Sequence, residues 1–210
     1  MAFNTQFFFH PQNILISGSS QSGKTFLVGN LIKHLQEYMT PLPSRIVYHY
    51  GEWQPAYEDL TSLVEFIPGP PTSLPENGLL IIDDLMHEIE SDPKIADLFT
   101  KGSHHHNCSI ILMLQNLFTK GRMIRTISLN AHVLILMRNL RDKSQIYSLA
   151  RQLEPDDMSF VIDAYKQATA KAHTHFLINL HHKTPTELRY MSNIFAENDE
   201  PPIVYKSLKH

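Results

Sequence analysis

The sequence has few of the features that mark secreted, membrane and zinc-binding proteins. Its 210 residues include one cysteine, Cys108, which excludes an internal disulfide and any zinc site built from cysteines. No apolar run approaches the roughly 20 residues that span a bilayer, and residues 1–10 lack the basic start and cleavage site of a signal peptide. We therefore expect a soluble, intracellular protein without a membrane partner, in which Cys108 is a small buried apolar residue.

Acidic residues are absent from one long stretch of the chain. The formal net charge is −3, yet residues 98–141 contain six cations and no Asp or Glu, so the window is +6 and the remainder −9. The cations are Lys101, Lys120, Arg122, Arg125, Arg138 and Arg141. Contact with a polyanion such as DNA is expected here first, although basic residues near strand ends can also be simply solvated.

A glycine-rich segment joins a short apolar run, Gln12–Ser17, to a stretch with helical spacing, Lys24–Tyr38. The segment consists of Gly18, Ser19, Ser20, Gln21, Ser22, Gly23, Lys24 and Thr25. This is the Walker A pattern in its strand–loop–helix context, where backbone N–H groups and the helix N-terminus bind phosphate. We predict that it binds ATP, with Lys24 on the β- and γ-phosphates and the Thr25 hydroxyl on Mg²⁺.

Two acidic residues end the buried run Leu79–Ile82, which has no polar alternation and therefore indicates an inner strand of a parallel sheet. Asp83 fits the carboxylate that holds Mg²⁺ beside Thr25. Asp84 is predicted to polarise the attacking water, as in hydrolytic motors. Because Asp is one methylene shorter than Glu, either the water lies closer or Asp84 only helps to bind the metal.

Gln115 follows the next buried strand, Ser109–Leu114, and is expected at the same sheet edge as Gly18 and Asp83. It can bond the γ-phosphate or the attacking water; the alternative is a simple Gln-Asn turn. Arg122 and Arg125 follow in a predicted loop without acids. Either can be an arginine finger that reaches a neighbouring subunit, with Arg125 favoured, or a solvated surface residue.

The remaining pattern predicts an α/β domain over residues 1–195 and a tail or arm over residues 196–210. The other predicted elements are strands at Arg45–Tyr50, Leu63–Ile67 and His132–Met137, a loop at Pro68–Gly78, helices beginning at Asp92-Pro93 and covering Asp142–Gln152 and Pro155–Thr169, and an antiparallel hairpin of His175–Leu180 with Leu188–Ile194. His104, His105 and His106 are adjacent on one predicted loop, so a polar loop that faces DNA is favoured over a metal site.

The ordered motifs resemble the viral genome-packaging ATPases of the FtsK/HerA superfamily, chiefly the Maverick/Polinton and adintovirus type, with virophage and poxvirus-type enzymes as more distant relatives. The resemblance covers residues 13–195. It rests on Gly-Ser-Ser-Gln-Ser-Gly-Lys-Thr, Leu-Ile-Ile-Asp-Asp-Leu-Met, Phe-Thr-Lys-Gly-Ser-His-His-His-Asn, Gln-Asn-Leu-Phe, Arg-Thr-Ile-Ser-Leu-Asn-Ala-His and Arg-Asp-Lys-Ser-Gln.

This resemblance implies a RecA-like P-loop core with an additional strand, a homo-oligomeric ring, double-stranded DNA in its channel, and packaging of a genome into a capsid through a capsid or portal-vertex protein. It implies Asp83 and Asp84 as the Walker B pair, Gln115 as the sensor, and Arg125 or, in reserve, Arg141 as the finger. The wider superfamily has Asp-Glu where this chain has Asp-Asp. The place of action is then the host nucleus or cytoplasm, with association with the virion also open.

Two other functions remain open from the sequence. A nucleotide or nucleoside kinase shares the P-loop and the size, but Asp84 and Gln115 argue against it. A non-motor switch that binds ATP without turnover is the other alternative. Stimulation of turnover by DNA distinguishes the translocase from both.

Overall fold

The computed structural model describes residues 7–99, 103–118, 121–195 and 201–208. The strands are β1 Phe8–Phe9, β2 Asn13–Ser17, β3 Met39–Thr40, β4 Ile46–Tyr50, β5 Glu65–Pro68, β6 Leu79–Asp83, β7 Ser109–Leu114, β8 Val133–Met137, β9 His175–Asn179, β10 Tyr190–Ser192 and β11 Ile203–Val204. The helices are α1 Lys24–Lys33, α2 Leu35–Tyr38, α3 Met86–Ser91, α4 Pro93–Asp97, α5 Ser103–His105, α6 Arg122–Leu129, α7 Ser144–Leu153 and α8 Met158–Ala168. Short 3-10 helices cover Pro55–Leu60, Pro155–Asp157 and Thr186–Leu188. Within these ranges, no helix has the length and apolar character to cross a membrane.

A nine-stranded sheet forms the centre of the molecule, in the order β11-β10-β9-β8-β2-β7-β6-β4-β5. The strands from β8 to β5 run parallel, and β9, β10 and β11 add antiparallel strands at the other end. β7 lies between β2, which leads into the glycine-rich loop, and β6, which ends at Asp83; this is the position of the additional strand. The predicted α/β fold, with its mostly parallel sheet and its C-terminal antiparallel strands, is confirmed.

The central strands are apolar throughout because helices cover both faces of the sheet. Along β2, Ile14 and Ile16 pack with α1 on one face, whereas Leu15 packs on the other face with α3, α4, α6, α7 and α8. All three side chains are fully buried. Burial of an aliphatic side chain of this size contributes about 1.5–3 kcal/mol, so the strand that leads into the glycine-rich loop is held firmly on both sides.

The structure corrects the predicted basic loop, because residues 122–129 form the helix α6. Ile124 and Ile127 bury one side of this helix. Its first turn is capped from outside, since the Oε1 atom of Glu90 accepts a hydrogen bond of 3.0 Å from the backbone N–H of Ile124. Gly121 leaves room for that carboxylate, which a Cβ atom at this position would overlap.

Other elements differ from the prediction at their ends. The helix predicted over Lys24–Tyr38 is interrupted at His34, where φ is −117°. Pro68 belongs to β5, an edge strand, where a missing N–H costs no hydrogen bond of the sheet. Asp92 caps α4 as expected, because its side chain accepts from the N–H of Lys94. Cys108 is fully buried, and this burial raises the pKa of its thiol to about 12.

The last described residues extend the sheet. β11 pairs antiparallel with β10, with Met191 opposite Val204. The backbone N–H of Tyr205 donates a 2.9 Å hydrogen bond to the carbonyl of Tyr190. Residues 196–200 and 209–210 of the predicted tail lie outside the described part of the chain.

Candidate nucleotide-binding site

Four neighbouring parallel strands end at one edge of the sheet, and a polar or glycine residue follows each of them. Gly18 follows β2, Asp84 follows β6, Gln115 follows β7 and Arg138 follows β8. Since β8, β2, β7 and β6 are consecutive in the sheet, the strand order itself gathers these residues. The carboxyl edge of a parallel sheet is where α/β proteins place their ligands.

The loop between β2 and α1 is shaped by its two glycines. The N–H of Gly18 donates to the carbonyl of Leu114 on β7 at 3.0 Å, and a Cβ atom on Gly18 would lie 2.6 Å from Cβ of Met137. Gly23 has a φ of 99°, which side chains other than hydrogen rarely allow. The Oγ atom of Ser22 is buried and has no hydrogen-bond partner among the described residues. The loop is therefore compact.

Lys24 lies over this loop. Its ammonium group donates hydrogen bonds to the carbonyl oxygens of Gly18, at 2.7 Å, and Ser19, at 3.1 Å. Burial lowers the pKa of Lys24, while the charges of Asp83 and Asp84 oppose that shift. A cation is thus held at the mouth of the loop, where a phosphate group would replace the two carbonyls as its partner.

Asp83 is a buried carboxylate, 5% exposed, whose Oδ2 atom is held by two tyrosines. The hydroxyl of Tyr48 donates at 3.0 Å and the hydroxyl of Tyr57 at 2.8 Å. Burial raises the pKa of Asp83, and the two hydrogen bonds lower it in part. The Thr25 hydroxyl lies 3.5 Å from the same oxygen and 3.4 Å from Oε1 of Gln54.

These oxygen atoms fit a hard divalent cation. Mg²⁺ prefers one or two carboxylates together with hydroxyl groups, phosphates and water. Thr25 and Asp83 supply a hydroxyl and a carboxylate within 3.5 Å of each other, and Gln54 adds an amide oxygen beside them. No group of three His, Cys, Asp or Glu side chains that could hold a metal is found in the described residues, this site included, so phosphate and water would complete the shell of the ion.

Asp84 is exposed, and its backbone has a conformation that residues other than glycine rarely adopt. Its φ is 55°, in the left-handed region, and its carbonyl oxygen would lie 2.7 Å from a Cβ atom on Gly51. Gly51 also donates its N–H to the carbonyl of Asp83 at 3.2 Å. The chain therefore turns sharply after β6, and the turn sends consecutive carboxylates to different places, one buried and one exposed.

A cavity of 290 Å³ brings most of these groups together. Lys24, Thr25, Asp83, Asp84 and Gln115 all line it. Gln115 is exposed at the end of β7, and the structure thus joins the predicted lysine, hydroxyl, acids and glutamine in one space.

The arginines separate into two groups. Arg138 and Arg141 line a cleft of 660 Å³ together with Ser19–Ser22 and Gln115. Arg122 and Arg125 are exposed on α6 and line neither cavity. Within one chain, the nucleotide loop therefore faces Arg138 and Arg141. Lys101 and Lys120 of the basic window lie outside the described residues.

The histidine segment lies at the opposite edge of the sheet. The carbonyl of His106 accepts a hydrogen bond from Asn77, just before β6, and Nδ1 of His106 contacts the carboxylate of Glu76. β6 begins two residues after Asn77 and β7 three residues after His106, so this contact lies at the amino end of both strands. The segment therefore takes no part in the nucleotide site.

Sequence reasoning did not identify Tyr48, Tyr57, Gln54 or Arg138. Tyr48 is on β4, Gln54 precedes the 3-10 helix Pro55–Leu60, and Tyr57 is on that helix. The pairing of β4 with β6 brings this part of the chain to Asp83. Arg138 gave a usable signal, because it directly follows a buried strand in the same way as Gln115 does.

No family model and no curated protein matches the sequence. Solved structures do match. The genome-packaging NTPase of Sulfolobus turreted icosahedral virus 2, in complex with sulfate, gives a TM-score of 0.55 at 12% identity over 94% of this chain and 97% of that one. The DNA-packaging ATPase of Sulfolobus turreted icosahedral virus gives 0.54 at 11% identity, over 95% and 99%.

A cellular ATPase shows the same fold. The cytoplasmic domain of the type VII secretion ATPase EccC from Thermomonospora curvata gives a TM-score of 0.54 at 13% identity, over 93% of this chain but 25% of that one. At identities of 11–13%, these matches establish a common fold, that of P-loop ATPases.

Proposed function

We propose that this chain is a Mg²⁺-dependent ATPase that drives double-stranded DNA into a viral capsid. One observation carries the proposal: Lys24, Thr25, Asp83, Asp84 and Gln115 converge in a single cavity at the carboxyl edge of the sheet. The fold shared with two viral packaging enzymes over nearly the full length of both chains supports the coupling to packaging.

The site contains the groups that phosphoryl transfer to water needs. The loop and Lys24 bind the triphosphate, and Thr25 and Asp83 hold Mg²⁺, which neutralises charge that develops on the phosphates. Asp84 is exposed in the cavity and orients the attacking water as its hydrogen-bond acceptor. Gln115, on the strand between the loop and the acids, bonds the γ-phosphate or that water.

The basic window supports DNA as the partner. Its described arginines all lie on α6 or after β8, and no carboxylate in the described residues lies within salt-bridge distance of them. Cations that have no acidic partner in the described part of the chain suit the phosphate backbone of DNA. A ring of subunits would bring the exposed α6 of one subunit to the nucleotide of the next, and a capsid or portal-vertex protein would anchor that ring at the site of virion assembly.

The test is steady-state ATP hydrolysis with and without long double-stranded DNA at matched ionic strength, because phosphate contacts depend strongly on salt. We expect DNA to raise turnover several-fold. Turnover that ignores DNA but rises with a nucleoside or nucleotide acceptor would instead identify a kinase. Tight ATP binding without turnover under any of these conditions would identify a switch.

A further inference from the structure

A cavity of 510 Å³ lies on the side of the nucleotide loop that faces away from Asp83. Its walls include Phe26 of α1, His175 of β9, Ser192 of β10 and Tyr205. In the sheet, β9 and β10 lie beyond β8, whereas Asp83 lies on β6 in the other direction from β2. The volume falls within the roughly 300–1,000 Å³ of pockets that hold small molecules.

His173 connects this cavity to the phosphate loop. A Cβ atom on Gly23 would lie 3.1 Å from Nδ1 of His173, so the imidazole packs directly against the loop. Ala172 and His173 line both the 510 Å³ cavity and the cleft along Ser19–Ser22. A molecule whose phosphates lie in the loop can therefore extend past His173 into the cavity.

The walls suit a flat heterocycle. Phe26 directly follows Thr25, lines the cavity and is 62% exposed, so its ring is accessible to a ligand there. Phe195 and Tyr205 add two more rings, and Asn30 and Asn193 add amide groups that both donate and accept hydrogen bonds. None of the described lining residues is acidic.

Two further features mark the cavity as a built site. His175 is 7% exposed, and its Nε2 atom has no hydrogen-bond partner among the described residues. Burial lowers the pKa of His175 to about 4, so the ring is neutral at pH 7 and can donate or accept. His173 and Asn193 both have positive φ values, 60° and 57°, and such residues cluster at ligand sites.

We infer that this cavity binds the base and ribose of the nucleotide, with Phe26 as the stacking surface and the amides of Asn30 and Asn193 as hydrogen-bonding groups. The inference rests on the proposed function, because the nucleoside can reach this cavity only if the phosphates are bound in the loop. It adds that affinity for the nucleotide depends on the nucleoside and not on the phosphates alone.

The experiment compares two probes by calorimetric titration, Mg²⁺-ATP and Mg²⁺ with inorganic tripolyphosphate. Wild-type protein should bind ATP at least tenfold more tightly than tripolyphosphate. Phe26→Ala should weaken ATP binding about tenfold, in line with loss of base stacking on an aromatic ring, and leave tripolyphosphate binding unchanged. Because Phe26 is exposed on its helix, the substitution should not disturb folding.

Ala170→Trp is a second variant. Ala170 is exposed and lines the 510 Å³ cavity, but it does not line the 660 Å³ cleft along Ser19–Ser22. The indole should fill the 510 Å³ cavity and weaken the binding of ATP, but not that of tripolyphosphate. Tyr147→Ala is the matched control, because Tyr147 is an exposed aromatic residue of α7 that lines neither space. It should change neither affinity.

The outcomes separate the two proposals. Equal affinities of the wild-type protein for both probes, or an unchanged ATP affinity in Phe26→Ala and Ala170→Trp, would overturn the nucleoside cavity and leave the phosphate site intact. Failure of the wild-type protein to bind either probe would instead reject the proposed ATPase.

Discussion

The hydroxyl of Tyr57 lies 2.8 Å from Oδ2 of Asp83 and donates a hydrogen bond to it. Tyr48 donates a second bond to the same oxygen at 3.0 Å. Desolvation is the largest influence on Asp83 and raises its pKa, whereas both tyrosine bonds stabilise the ionised form. The negative charge that Asp83 offers to a metal therefore depends on two side chains that belong to no nucleotide-binding motif.

Tyr57→Phe should weaken the response to Mg²⁺ and leave the protein folded. Loss of one hydrogen bond to a charged group removes about 1.5–3 kcal/mol, so the Mg²⁺ concentration for half-maximal ATP hydrolysis should rise roughly tenfold or more. Turnover is measured against Mg²⁺ concentration at pH 7.

Tyr50→Phe is the control for that measurement. Tyr50 belongs to the same aromatic cluster, with its ring 5.7 Å from that of Tyr57, but it makes no hydrogen bond to Asp83. It should retain the wild-type Mg²⁺ dependence. The same dependence in Tyr57→Phe would show that the tyrosines only fill space.

The sequence predicts the site residues at the carboxyl edge of the sheet better than it predicts the residues that surround them. Gly18, Asp83 and Gln115 each come at the end of an apolar run, and such a run is typical of a strand that is buried on both faces of a parallel sheet. Parallel strands place their carboxyl ends at one edge, so the sequence pattern alone predicts that these three residues lie at the same edge. Tyr57 lies on the short 3-10 helix Pro55–Leu60, 26 residues before Asp83, and no local pattern links the two.

α6 was missed for a related reason. Its first turn is capped by Glu90, which lies 34 residues before Ile124, and its sequence has no capping residue of its own. A short amphipathic helix whose cap comes from another helix cannot be distinguished from a loop by local signals. In both cases the deciding contact joins residues that are far apart in the sequence.

Asp84→Asn should bind ATP but lose turnover by a factor of roughly 10²–10⁴, the usual contribution of a positioned base. The amide keeps the size of the carboxylate and the turn after β6, but it accepts a proton poorly. ATP binding and hydrolysis are measured on the same preparation.

Lys24→Ala should instead lose tight binding of ATP, since Lys24 is the cation beside the phosphate loop.

Glu88→Gln provides a matched change of charge on α3 outside the cavity and should hydrolyse ATP normally. Wild-type turnover in Asp84→Asn would place the base elsewhere. Gln115 would then be the residue to change next, because it lines the same cavity.

Arg138 and Arg125 should differ when each alanine variant is mixed with Lys24→Ala subunits. Arg138 lies in the cleft along Ser19–Ser22 of its own chain, so a mixture of Arg138→Ala with Lys24→Ala should contain no complete site and stay inactive. Arg125 is exposed on α6 and away from that cleft, so the intact loop of an Arg125→Ala subunit should receive Arg125 from a Lys24→Ala neighbour, and mixing should restore turnover. Each pure variant should retain ATP binding and lose a large factor in turnover, up to about 10³ for a finger.

Arg151→Ala is the control for the mixing experiment, because it removes an exposed arginine of α7 that lines neither cavity. Its mixtures with Lys24→Ala should match mixtures of the wild-type protein with Lys24→Ala at every ratio. Turnover that does not return with Arg125→Ala would reject its action across subunits, and restored turnover with Arg138→Ala would reject its action within its own chain.

Stability should fall as the pH is lowered from about 6.5 to about 4, in part because of His175. Burial lowers its pKa in the folded chain to about 4 from the ordinary 6.5, so between these values the unfolded chain binds a proton that the folded chain does not. Protonation therefore favours unfolding in this window, by at most about 1.4 kcal/mol per pH unit for one group.

His175→Phe keeps a ring in place. In urea titrations it should reduce the slope of the unfolding free energy against pH by up to the amount that corresponds to one proton. Titrations at pH 8, where the wild-type ring is neutral in both states, give the effect of the substitution on packing alone; an unchanged slope below pH 6.5 would show that His175 is not held neutral by the fold.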